Sequence, residues 1–458
     1  MELLKRNNIE KHTERVLQFG EGNFLRGFVD WMFDRLNKER GGDFGVVVVQ
    51  PRQGNKVARL NAQEGLYTLY SRGLINGVKA EELRVVDCIT RGINPYEDTE
   101  EFFECAKNPA LRYITSNTTE AGIEYRQDEC DFTSTTFPGR LTMFLKARYD
   151  AGLGGFLILP CELIDRNGDT LKEYVIQYAS DWNYGEDFIR WVNEENSFMN
   201  TLVDRIVTGY PHDTAEEMEA KWGYNDKLIN TTELFHLWVI EGDKKYAEEL
   251  PFDKIGLNVI WTDDVTPYKK RKVRILNGAH TMMSSAAMLM GKETVLNSME
   301  DEALVNLVRK GMFDEIIPTI DMPENELVRF ANDVIDRFRN PFINHHLSDI
   351  ALNSVSKFKV RVLPSIKDYA DNFGKLPQCL VFSLAALIVF YKNGTPNDDA
   401  DIIDFIRNSS TEQILGNTEL WDDNLMYLKD LVDVYIQIIE TNGVEAGLEA
   451  TGRKGNAE

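Results

Sequence analysis

A strand, a glycine turn and a helix follow one another near the start of this chain, and this succession restricts its fold more than any later segment. Val16-Leu17-Gln18-Phe19 reads as a short buried strand and Gly20-Glu21-Gly22 as the turn. Phe24, Leu25, Phe28, Val29, Met32 and Leu36 then recur at helical spacing until Gly41-Gly42. Phe44-Gly45-Val46-Val47-Val48-Val49 has the continuous apolar character of a strand covered on both faces, and Gly155 to Pro160 is another such run. Strand, helix and buried strand in succession predict a parallel βαβ unit. Gly20 and Gly22 would let backbone amides approach a pyrophosphate, although a two-glycine turn is also ordinary loop chemistry.

Beyond about residue 264 the pattern changes. Val273 to Met290, Asp301 to Met312, Glu324 to Phe338, Pro377 to Tyr391, Asp399 to Ile406 and Leu420 to Thr441 all carry helical periodicity. The expected class is α/β: a Rossmann-like dinucleotide-binding domain over 1–263, then a mostly α-helical substrate domain over 264–442. Thr262 to Pro267 would be the linker, and the small and charged residues of 443–458 predict a frayed tail.

A formal charge of −23 with no cluster of basic and aromatic residues argues against nucleic acid as a partner. No apolar run approaches the roughly 18 residues of a membrane span, and the first residues lack the apolar core of a signal peptide, so a cytoplasmic protein without a membrane partner is expected. The five cysteines are scattered and odd in number, which predicts reduced thiols. Of the six histidines only His345 and His346 are clustered, and adjacent side chains diverge on a helix, so no metal site is expected.

The segment Lys272-Val273-Arg274-Ile275-Leu276-Asn277-Gly278-Ala279-His280-Thr281 sets an amine, an amide and an imidazole at offsets of five and eight residues. These are the parts of a proton-transfer site. On an ideal helix Asn277 would stand about 140° and His280 about 80° around from Lys272, one broad face. The alternative is a helix end with a surface lysine and a capped histidine, and Asn277-Gly278 would ordinarily mark a turn.

Lys-x4-Asn-x2-His resembles the signature of the mannitol dehydrogenase family of polyol-specific long-chain dehydrogenases. In the same order along the chain, further stretches look like the family's motifs: Gly20-Glu21-Gly22-Asn23-Phe24-Leu25-Arg26, Ser116-Asn117-Thr118-Thr119-Glu120-Ala121-Gly122, Phe137-Pro138-Gly139-Arg140, Pro160 to Gly168, Asn200 to Arg205, and Arg337-Phe338-Arg339-Asn340-Pro341. The resemblance implies an oxidoreductase with NAD as cofactor and a sugar acid as its small-molecule substrate. The reaction implied is the interconversion of D-tagaturonate and D-altronate in hexuronate catabolism. Fructuronate reduction, polyol oxidation and a catalytically silent nucleotide or sugar sensor are the alternatives. The family contains monomers and oligomers, and a monomer is favoured.

Carried over residue by residue, the resemblance makes Lys272 the general acid/base, Asn277 the polariser of the reacting oxygen and His280 the holder of a substrate hydroxyl. It implies that Gly20, Gly22, Asn23, Phe24 and Arg26 bind the cofactor with Gln50 at the ribose, and that Ser116, Thr119 and Glu120 lie toward the nicotinamide. Gln50 stands where an acid would ordinarily read the ribose of NAD, and the nearby Arg52 could accept the 2′-phosphate of NADP. Two positions depart from the mannitol-oxidising member. Lys269 replaces a relay glutamate, and Cys161-Glu162-Leu163 replaces Cys-Asp-Asn, so the missing oxyanion donor would be Asn167, or Asn277 would act alone. Glu162 would order Lys272 or a substrate hydroxyl, or simply be solvated. Asp204 would bind a substrate hydroxyl or pair with Arg205. Arg337 is expected to clamp the substrate carboxylate through its fork of donors, with His345, Lys357 and Arg361 behind it.

Overall fold

The computed structural model describes residues 1–119 and 121–452. The chain divides into two compact units, Met1–Arg72 with Ala80–Val265, and Gly73–Lys79 with Thr266–Glu458.

The first unit is built on a six-stranded sheet of β1 (Glu14–Phe19), β2 (Gly45–Val49), β3 (Ile89–Ile93), β4 (Tyr113–Ser116), β5 (Leu157–Pro160) and β6 (Ser197–Phe198). Its order is 3-2-1-4-5-6 and every pairing is parallel. Alternate side chains divide between two cores. Val16, Val46 and Val48 enter one, and Leu17, Phe19, Val47 and Val49 the other. This is why the strands read as unbroken apolar runs. A four-stranded sheet containing the hairpin Tyr67–Ile75 and Val78–Val86, and a three-stranded sheet of Asn200–Asp204, Leu237–Glu241 and Val259–Thr262, complete the strands.

The helix expected after the glycine turn is two helices, Asn23–Gly27 and Val29–Arg40, broken at Phe28 (φ −132°, ψ −77°). The carbonyls released at the break are satisfied from elsewhere: Tyr67 Oη donates to Arg26 O at 2.6 Å and Arg205 Nη1 to Gly27 O at 2.6 Å. Arg205 also donates to Glu233 O and Ser71 Oγ and lies 4.1 Å from the Trp31 ring centre, so it holds the first unit together.

The second unit is helical around Gln378–Asn393, whose residues from Cys379 to Tyr391 are all buried. The expected helix over 420–441 is interrupted: Thr418–Trp421 ends at Asp422 in the left-handed region (φ 56°), and Lys429–Asn442 begins afresh. The tail is a correction. Val444–Ala450 forms a helix that packs on Gln378–Asn393 and on Glu302–Lys310, with Val444 and Leu448 buried. Its small residues give close packing, since a Cβ on Gly447 would stand 2.6 Å from Phe382 Cε2. Residues 453–458 of the predicted tail lie outside the described residues.

Candidate active site

The segment singled out by spacing is helical throughout. Thr266–Arg271 is α, Lys272–Asn277 is a π turn, and Gly278–Leu289 is α again. In the π turn bonds run from i to i+5, so Lys272 and Asn277 stand closer around the axis than the about 140° of an ideal α-helix. Asn277-Gly278 therefore forms no turn. The glycine is there for packing: the Arg361 carbonyl oxygen lies 3.1 Å from where a Cβ would be.

Lys272, Asn277 and His280 are half-buried. The His280 ring stacks on Phe338, with centroids 4.1 Å apart and planes 16° apart, and meets His345 edge-on at 5.0 Å. Among the described residues its Nε2 is buried without a hydrogen-bond partner. Burial, then the charges of His345, Arg337 and Arg361, hold its pKa well below the usual histidine value. A neutral imidazole with an unmatched ring nitrogen suits a sugar hydroxyl. Arg337 is buried at the end of Glu324–Phe338 and also acts on Asp333, one turn earlier. Arg274 donates to Ser365 Oγ at 3.0 Å and to Asp368 Oδ2 at 3.1 Å, while Lys270 stands 3.7 Å from the same carboxylate. Arg271 lies over the rings of Tyr268 and Phe330. Lys270, Arg271 and Arg274 are thus engaged within the helical unit.

In the first unit the structure distinguishes backbone from side chains. Gly20 ends β1 at φ +129°, a conformation that L side chains rarely adopt, and its N–H donates to Val49 O. Gly22 begins the next helix in the open, with nothing within 4 Å of an added Cβ. This turn lies where the sheet order changes from 2-1 to 1-4, the crevice at which dinucleotides bind in such sheets. Pro51, Arg52, Tyr96, Thr118, Phe137 and Arg140 line a cavity of about 310 Å3. The arrangement fits a dinucleotide: an open glycine turn for the pyrophosphate and a polar cavity for the nucleoside. Tyr96 was not singled out from the sequence, and Thr118 only as part of the stretch Ser116 to Gly122. Arg140 lay in a quoted motif without a role, and its guanidinium holds Phe132 O and Pro51 O.

Several side chains expected to face ligand are engaged elsewhere. Gln50 is 2% exposed; its amide nitrogen donates to Arg52 O and Gly54 O, and its oxygen accepts from Lys56 N and Val57 N. It organises its own loop and does not present its amide to a ribose. Arg26 is buried and donates to Leu228 O and to Asn23 Oδ1, while Asn230 Nδ2 donates to Asn23 O, so both fix the helix start. Phe24 stacks on Phe28 at 5.1 Å. Ser116 is buried and donates to Glu162 Oε2 at 2.9 Å. Thr118 supplies its N–H and hydroxyl to the other oxygen of Glu162, whose pKa burial pushes up. Glu162 thus clamps the loop after β4. On that loop Thr119 is exposed at φ +80°, and Glu120 lies outside the described residues.

Asn167 is likewise not an oxyanion donor. It is 1% exposed, its nitrogen donates to Pro160 O and Glu162 O, and its oxygen accepts from Thr201 N and Gly168 N, which ties β5 to the strand Asn200–Asp204. Asp204 is buried at the end of that strand. Leu163 is 60% exposed. Among the described residues no group of three or more His, Cys, Asp or Glu side chains could hold a metal ion, and no helix is long and apolar enough to cross a membrane.

Fold and site define a dinucleotide-binding oxidoreductase with a helical second unit. The chain matches the mannitol dehydrogenase Rossmann domain over residues 14–254 and the mannitol dehydrogenase C-terminal domain over 264–441, and it belongs to that family. It is 43% identical to altronate oxidoreductase of Bacillus subtilis, covering 98% of each chain, and 42% identical to that of Pectobacterium carotovorum, covering 95% of this chain and 92% of the relative. Two solved structures share the fold, each at 23% identity. They are a substrate-free D-sorbitol dehydrogenase (TM-score 0.85, 96% of each chain) and the Pseudomonas fluorescens mannitol 2-dehydrogenase ternary complex with NAD and D-mannitol (TM-score 0.70, 98% of this chain and 99% of the other).

Proposed function

We propose that the protein is an NAD-dependent oxidoreductase interconverting D-altronate and D-tagaturonate, a step of hexuronate catabolism. The relatives at 40–43% identity named altronate oxidoreductase support the substrate. The observation that carries the chemistry is that Lys272, Asn277 and His280 share one helix, the first two joined by a π turn and the third with a buried, unmatched Nε2.

A nicotinamide cofactor, when bound, would supply the hydride acceptor for the carbinol carbon. Lys272 as a neutral amine takes the hydroxyl proton in the oxidative direction and as an ammonium returns it to the ketone oxygen in the reductive one. Asn277 donates a hydrogen bond to that oxygen as alkoxide character develops. His280, kept neutral by burial, exchanges a hydrogen bond with a neighbouring hydroxyl through Nε2. The Gly20–Gly22 turn takes the pyrophosphate, and the cavity beside Arg52 and Tyr96 takes the nucleoside.

The test is a panel of tagaturonate, fructuronate and fructose with NADH and NADPH. Tagaturonate with NADH is expected to give the highest kcat/KM. A preference for fructose, or no turnover of any keto acid, overturns the assignment.

A further inference from the structure

The helix Ser354–Arg361 carries two cations four residues apart, Lys357 and Arg361, and hence on one face. Lys357 is engaged: its Nζ donates to Asp349 O at 3.2 Å and to Ile350 O at 2.9 Å, near the end of the short helix Leu347–Ala351. Arg361 differs. Among the described residues its one side-chain hydrogen bond is a long one, Nη1 to Thr281 Oγ1 at 3.4 Å, and no carboxylate acts on its charge. A guanidinium has five donors, and holding them partly out of water without acceptors is unfavourable. Burial accordingly lowers its pKa with no acid among the described residues to offset the effect, and its charge in turn lowers the pKa of Lys357 one turn away. An anion would relieve both.

Arg361 is also placed where a substrate would need that anion site. Its carbonyl lies against Gly278 and its guanidinium against Thr281, so the residue covers the turn that carries Asn277 and His280. Arg361, Arg337 and His345 all act on His280. Arg337 shares its charge with Asp333 on its own helix, whereas among the described residues Arg361 has no such counterpart.

We propose that Arg361, rather than Arg337, receives the carboxylate of the sugar acid and sets the preference for acids over neutral polyols. This rests on the sugar-acid reading above. A planar fork matches both carboxylate oxygens and Lys cannot reproduce it, so the role is specific to arginine.

The experiment compares kcat/KM for tagaturonate and for fructose in wild type, Arg361→Met, Arg361→Lys and Arg337→Met, with Tm measured for each. Arg361→Met is expected to reduce the acid-over-neutral preference by roughly 10- to 200-fold, the loss of a charge-assisted bidentate contact, and Arg361→Lys to fall between. If Arg361→Met does not fold, a wild-type preference retained in Arg361→Lys overturns the proposal and a reduced one supports it. A preference retained in Arg361→Met, or one reduced by Arg337→Met alone, overturns it while leaving the sugar-acid reading intact. A wild type that prefers fructose overturns that reading itself, and the proposal with it.

Discussion

The His280 imidazole lies flat on the Phe338 ring, with centroids 4.1 Å apart. Phe338 is buried beside Arg337 at the end of Glu324–Phe338, so the contact ties the proposed hydroxyl-binding ring to the helix that also carries Arg337. An aromatic pair contributes about 0.5–1.5 kcal/mol beyond its buried area. Phe338→Leu keeps apolar volume but removes the flat support. It should lower kcat/KM about 2- to 10-fold, with circular dichroism unchanged. An unaltered kcat/KM would show that His280 does not depend on this stack.

The same environment makes a pH prediction. His280 is held well below its ordinary pKa by burial and by its cationic neighbours, so it is neutral in the folded protein where an unfolded histidine titrates. Its contribution to stability is therefore fully present above the unfolded value of about 6.5 and declines as pH falls below it. In NMR of ring-labelled protein, the His280 signal should keep the neutral shift from pH 8 to pH 6. A midpoint near 6.5 would contradict the burial argument.

Lys272→Ala should lower turnover about 10²- to 10⁴-fold, the usual contribution of a positioned acid/base, with NADH binding retained by fluorescence titration. Activity within about threefold of wild type, far short of that contribution, would remove Lys272 from the chemistry.

Glu315 is a carboxyl buried in the helical unit and accepts from Cys379 N at 2.9 Å and Leu380 N at 3.0 Å, capping Gln378–Asn393. Desolvation pushes its pKa up to about 7 despite these bonds. Because the folded value is raised, the contribution to stability is complete below the unfolded value of about 4.5 and is lost as pH rises through about 7. The change is on the order of 3 kcal/mol across that window. Glu315→Gln does not titrate, so the Tm of wild type minus that of the variant should be larger at pH 5 than at pH 8. A constant difference would place the Glu315 ionisation at its ordinary value.

What the residues announced and what they concealed have physical reasons. Val46 to Val49 reveal a doubly covered strand because each side chain must enter a core on one face or the other. Asn76-Gly77, between the strands Tyr67–Ile75 and Val78–Val86, carries a hairpin signal in its own residue types; both residues have positive φ, 52° and 77°. The π turn is different, since Lys272 to Asn277 favour no particular hydrogen-bond step and the choice is made by packing. Gln50 and Ser116 stand at or just beyond strand ends, where ligands bind in such sheets, and Asn167 opens the helix that follows β5, but sequence does not say whether an amide or hydroxyl turns outward or back into the protein. Arg361 was legible as a cation; only the structure shows that no acid among the described residues acts on it.

The cofactor site gives the last prediction. Gly22 has φ −68° and open space around a would-be Cβ, so Gly22→Ala should fold with an unchanged Tm. The added methyl would nevertheless stand where the turn must let a pyrophosphate approach the backbone, the role of the second glycine in such turns. KM for NADH should therefore rise by about tenfold or more, equivalent to about 1.4 kcal/mol, while kcat at saturating NADH changes little. Gly20→Ala is the contrast. At φ +129° it strains the backbone itself, so it should lower Tm as well as raise KM. If Gly22→Ala leaves KM for NADH unchanged, the pyrophosphate does not approach the chain at this turn, and the cavity beside Arg52 would have to be read without it.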